Sequence, residues 1–253
     1  MLKEENAIQL QENEFPSIQS YLDNGNPTLR SPNSEYEISL LQTQTSLNDI
    51  DGYSRFIHNA ISQFRHTRVY KNYKAYLMNL GLDHCSYLHN VNSDMAELEM
   101  NHCILTLFDV ALMICEHYIH TYGYISTFHI VAALRQEHTE NRIPLIMMSK
   151  TVHQLYHNDE LFYVHPRQIF GKWTELIAKY RNGITPEICT KLLYYIRMAL
   201  KDGADSTDND MLMLASEIQN WSAKNYGSVI YNTGTSNPFD YWNTNNSYCY
   251  IEP

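Results

Sequence analysis

From about Ser54 onward the chain returns apolar residues to every third or fourth position, and only an amphipathic α-helix turns that spacing into one continuous face. Phe56, Ile57, Ala60, Ile61 and Phe64 open the series. A second helix is expected over Arg68–Leu80, with Thr67 as its N-cap and Gly81 ending it. Leu105 to Tyr118 reads as a strongly apolar, buried helix, and Ser126 or Thr127 begins another that runs to about His138. Phe170 to Tyr180 looks helical. Thr185-Pro186-Glu187 sets a cap before a proline at the first helical position and opens a helix to roughly Leu200. Met211 to Trp221 is a last amphipathic helix.

Two short stretches break the helical period. Ala96-Glu97-Leu98-Glu99-Met100-Asn101-His102 alternates apolar and polar residues, as a half-buried strand does. Ile143 to Met148 is an apolar run of strand length, and its Pro144 suits a strand start or an edge. Ser149 then caps a helix expected from Lys150 to about Leu161. The expected class is mainly α with a small ββα element, an α+β chain. Residues 1–53 read as a polar, acidic arm. Residues 54–200 read as a helical domain with the ββα segment at about 96–160, and 201–253 as a helix with an irregular tail.

Charge narrows the functions. The net charge of −10 is uneven: residues 1–54 carry −7, residues 55–183 carry +1 and residues 184–253 carry −4. A near-neutral centre permits nucleic-acid binding without demanding it. The longest apolar run, Ile104 to Ile119, is interrupted by Thr106, Asp109, Glu116 and His117, so no membrane span is expected. The opening Met-Leu-Lys-Glu-Glu-Asn lacks the basic-then-apolar layout of a signal peptide. Five cysteines without a C-x-x-C pair argue against a disulfide framework, and a cytoplasmic setting is expected. Nine glycines and no Gly-x-x-x-x-Gly-Lys loop leave little room for a nucleotide-binding fold.

Most of the twelve histidines are expected to be surface or hydrogen-bonded residues. His153 and His157, four apart on one helix, project from the same face and are spaced to share one divalent metal. His102 ends the first expected strand directly after Asn101. Glu99-x-x-His102 matches the di-iron element, but no second copy exists, and His-Glu-x-x-His is absent. Neither Cys85 nor Cys103 is marked as a nucleophile.

The segments Leu98–His102 and Ile146–Asn158 resemble the two ends of the HNH (ββα-metal) endonuclease motif, and the chain is similar in style to bacteriophage HNH proteins. The resemblance implies His102 as the base that activates water, with Asn141 in place of the central asparagine, where the chain has Pro144. It implies Asn101, His153 and His157 as ligands of one divalent ion, Mg²⁺, Mn²⁺ or Zn²⁺. His102 and His153 stand 51 residues apart, so an insertion would hold two helices. The implied activity is hydrolysis of phosphodiester bonds by a metal-dependent, phage-encoded endonuclease. Its partner would be DNA, with RNA as a second choice.

A path for nucleic acid is expected at Arg65, Arg68, Lys71 and Lys74, which recur every third residue with tyrosines among them. Arg142 and Lys150 are further candidates for phosphate contact. The plainer reading of the stripe is a solvated helix face whose tyrosines pack inward. The alternative for the whole chain is a non-catalytic structural or partner-binding protein that keeps a degenerate ββα scaffold.

Overall fold

Thr67 shows how closely local sequence dictates the helices. Its Oγ1 donates to Phe64 O (2.7 Å) and accepts from Tyr70 N–H (3.3 Å), so one side chain closes a helix and caps the next. In the computed structural model the described residues are 28–30, 37–39, 41–43, 50–158, 164–201 and 208–226. The strands are β1 Thr28–Arg30, β2 Glu37–Ser39, β3 Leu41–Thr43, β4 Leu98–His102, β5 Tyr124–Ser126 and β6 Leu145–Ser149. The helices are α1 Ile50–His66, α2 Arg68–Asn79, α3 Leu107–Tyr122, α4 Thr127–Thr139, α5 Lys150–Asn158, α6 Trp173–Lys179, α7 Pro186–Lys201 and α8 Asp208–Tyr226. The described chain is therefore mainly helical with small antiparallel two-stranded sheets, an α+β composition.

Two compact units interleave along the sequence. The first consists of residues 1–75, 105–143 and 172–183. In it β1 pairs with β2, and β3 with β5, both antiparallel. The apolar face of α1 (Phe56, Ile57, Ala60, Ile61, Phe64) is buried, as the spacing requires, and α1 packs on α3 and α4. Thr106 starts α3 through a reciprocal capping box with Asp109, and Gly123, at φ 84°, ends it. Ser126 does the same for α4, with His129 in the position that Glu or Gln usually takes.

The 3₁₀ turn Arg181–Gly183 lies directly on the backbone of α3. A Cβ at Gly183 would sit 1.8 Å from Met113 O and 2.7 Å from His117 N, so only glycine fits.

The second unit consists of residues 76–104, 144–171 and 184–253. Gly81, at φ 93°, ends α2, and Leu82 N–H reaches back to Leu77 O (3.1 Å). β6 is buried over all five residues. It pairs with β4 on one side and, through Leu145, with Phe170 on the other. A strand enclosed on both faces explains its unbroken apolar run. α5 follows β6 directly and packs on β4 and β6. Thr185 accepts from Ile188 N–H (3.3 Å) to cap α7, which packs on α8.

The 1–53 arm and the tail after Tyr226 fall mostly outside the described residues, as does the expected helical stretch 159–161.

Candidate functional site

The antiparallel register of β4 and β6 sets Leu98 opposite Ser149 and His102 opposite Leu145, and α5 starts at the Leu98–Ser149 end. The strand–strand–helix order expected from the sequence is therefore present. What it brings together is different.

His153, in the first half of α5, donates from Nδ1 to Glu99 Oε2 at 2.5 Å. Side chains alternate along a strand, so Glu99, Asn101 and then Cys103 share one side of β4, while Leu98, Met100 and His102 share the other. Cys103 Sγ meets Tyr156 Oη of α5 at 4.0 Å, which marks the Glu99 side as the one α5 covers. By alternation His102 belongs to the other set.

Asn101 lies on the covered side, and its Nδ2 is buried with no hydrogen-bond partner among the described residues. The backbone of His157 belongs to α5, but its side chain lies outside the described ones. Among the described residues no three His, Cys, Asp or Glu side chains gather closely enough to hold a metal ion. Of the expected ligands, Asn101 lies on β4 and His153 on α5, and one ring nitrogen of His153 is paired with Glu99.

Asn141 belongs to the other unit and has a backbone role. It follows α4 in the left-handed region (φ 55°), which asparagine tolerates better than most residues. Its carbonyl accepts from Lys172 N–H (2.8 Å), and its Oδ1 accepts from Tyr73 Oη (3.0 Å).

Arg142 pairs with Glu137 and Glu140. Lys150 faces Glu97 at 3.8 Å on an exposed surface. Arg65, Arg68 and Lys71 are exposed on α1 and α2 and Lys74 is half-buried, while Tyr73 is buried and Tyr70 half-buried. Of the tyrosines of this helix, Tyr73 packs inward and Tyr70 and Tyr76 are half-buried.

The sequence reading missed the most enclosed polar cluster. Glu137 is 0% exposed and accepts from Tyr180 Oη (2.7 Å), Lys179 Nζ (2.7 Å) and the Arg142 guanidinium. A buried carboxylate persists only when its charge is compensated, and here two cations and a phenol do so. Burial, then the carboxylate beside it, pushes the Tyr180 hydroxyl far up.

Next to Glu137, His138 is fully buried against Phe64, Tyr70 and Tyr73 and donates from Nδ1 to Leu134 O (2.7 Å). Burial holds its pKa down at about 4. No spacing in the sequence marks this cluster, because its members come from α4, the loop after it and the α6 end.

The four described cysteines are buried and unpaired by disulfides. Burial raises Cys103 to about 12 and Cys189 to about 11, which leaves both as inert thiols. No helix among the described residues is long and apolar enough to cross a membrane.

The family model described as bacteriophage G278-like virion protein matches residues 10–224. No curated protein matches, and no solved structure matches. The family match corrects the endonuclease expectation, and with it the expectation of a hydrolase: the family matched is one of virion proteins. The physical reason for the misreading is that two paired strands followed by a helix are a general packing unit. Here the helix is tied to β4 through His153 and Glu99.

Proposed function

The chain belongs to the bacteriophage G278-like virion protein family, and from that premise we propose that it is a non-catalytic structural component of the phage particle. One observation carries this: the family match runs over residues 10–224 and so takes in segments of both units. The use of the polar groups supports it. Glu137, Arg142 and Lys179 form a closed ion cluster, His129 and Asn141 shape the two ends of α4, and His153 ties α5 to β4 through Glu99. Each of these holds backbone segments together.

Complementation tests the reading. A phage lacking this chain is supplied with it from a plasmid, and particle yield is measured. The His102→Gln and His153→Gln chains are expected to restore yield as fully as the unaltered chain, whereas Gly183→Ala, which attacks packing, is expected to fail. Loss of yield with a stably folded, normally incorporated His102→Gln chain contradicts a non-catalytic role.

A further inference from the structure

Between Asp51 and Asp83 the chain carries Arg55, Arg65, Arg68, Lys71 and Lys74 and not one Asp or Glu, in a protein whose net charge is −10. The structure places this segment on α1 and α2, with Arg65, Arg68 and Lys71 exposed where the two helices meet at Thr67. Arg142, Lys150, Lys172 and Lys179 each pair with a carboxylate, whereas among the described residues none of the five cations of this segment does. Tyr73, on the opposite side of α2, is buried, so the cations lie on the outward face. An uncompensated cluster of this kind repels itself and is stabilised by an anionic partner.

Two anionic partners compete, and magnitudes decide between them. Binding to a phosphate backbone strengthens with each cation that displaces a counterion. Of the four exposed cations of this segment, Arg55 stands apart on α1, so the cluster around Thr67 offers three. A carboxylate-bearing polypeptide needs fewer, because each guanidinium engages a carboxylate through two parallel N–H donors. The chain itself supplies such a polypeptide: residues 1–37 hold seven Asp or Glu against Lys3 and Arg30.

We propose that the Arg65–Arg68–Lys71 face docks the acidic N-terminal segment of a second copy of this chain. The contact joins two different surfaces, so reciprocal exchange closes a dimer and one-way docking propagates into rings or filaments. It extends the structural-component reading without depending on it, since association is read on purified protein with no phage present.

The test is sedimentation velocity of the full-length chain at about 0.05 M and about 0.5 M salt, across which the screening length shrinks to a few ångströms. The unaltered chain is expected to associate at low salt, with affinity reduced at least tenfold at high salt. The Arg68→Glu, Lys71→Glu double variant is expected to stay monomeric at both. Residue 68 lies in the first turn of α2, where an acidic side chain favours the helix, so circular dichroism of this variant should match the unaltered chain. A chain with Glu4, Glu5, Glu12 and Glu14 changed to Lys should also be monomeric alone. Mixing it with the first variant should restore association, because the reversed charges again complement each other.

An unaltered chain that is monomeric throughout overturns the proposal, as does association indifferent to the face reversal. A duplex DNA probe bound by the unaltered chain and lost on face reversal assigns the surface to nucleic acid instead.

Discussion

His153 meets Glu99 across the junction of α5 and β4, Nδ1 to Oε2 at 2.5 Å. The pair spans 54 residues of sequence and fixes the helix to the strand it covers. A histidine whose ring nitrogen is committed to a carboxylate in this way works as a fastening.

The energetic weight of the pair should be modest. Its side chains are 23% and 31% exposed, so solvent screens the attraction. A double-mutant cycle with Glu99→Gln and His153→Gln, followed by urea unfolding, should return a coupling of about 0.2–1 kcal/mol. Coupling on the order of 3 kcal/mol would show a far more desolvated site than the one described.

Glu137 should behave differently. Replacing it with Gln leaves Arg142 and Lys179 without their buried counter-charge, and such breakage costs about 3–5 kcal/mol. Lys150→Ala, on the exposed pair with Glu97, should stay within about 0.5 kcal/mol. Equal effects of the two substitutions in chemical denaturation would contradict the assigned burial.

Acid should destabilise the protein before its carboxylates titrate. Burial holds His138 and His117 at about 4, below the ordinary 6.5. Between those values the unfolded chain binds protons that the folded chain does not, so stability is complete above about 6.5 and falls as pH drops toward 4. Each such histidine contributes a slope of up to about 1.4 kcal/mol per pH unit in that window. His138→Phe should flatten the profile between pH 6.5 and 4; an unchanged slope means that other groups set it.

Gly183→Ala should be among the most damaging conservative changes. The new methyl would overlap Met113 O, a backbone atom that cannot rotate away. Overpacking typically costs about 1–3 kcal/mol, and this position should sit at or beyond the upper end. Unfolding midpoints equal to the unaltered protein would remove the close approach of the 181–183 turn to α3.

The helices were legible because their signals are local. Thr67, Gly81, Ser126 and the Thr185-Pro186 pair each mark a helix end within four residues of the backbone groups they satisfy. The two paired strands were legible from the alternation at 96–102 and the apolar run before Ser149. The site was not. The spacing of His153 and His157 is visible in the sequence, but the Glu99 that His153 meets lies 54 residues away and is set by the register of β4 against β6. The alternation itself places Glu99 and His102 on opposite faces, but which face the helix covers is a tertiary fact. The Glu137 cluster was invisible for the same reason: a glutamate inside a helix looks solvated until the chain folds over it.

The central claim is that this chain is built into the particle as structure. Quantitative mass spectrometry of gradient-purified, salt-washed particles tests it most directly. The account predicts the chain at a fixed multi-copy ratio to the other particle proteins, unchanged by the His102→Gln substitution. A chain absent from washed particles and recovered only from the infected-cell lysate would contradict it.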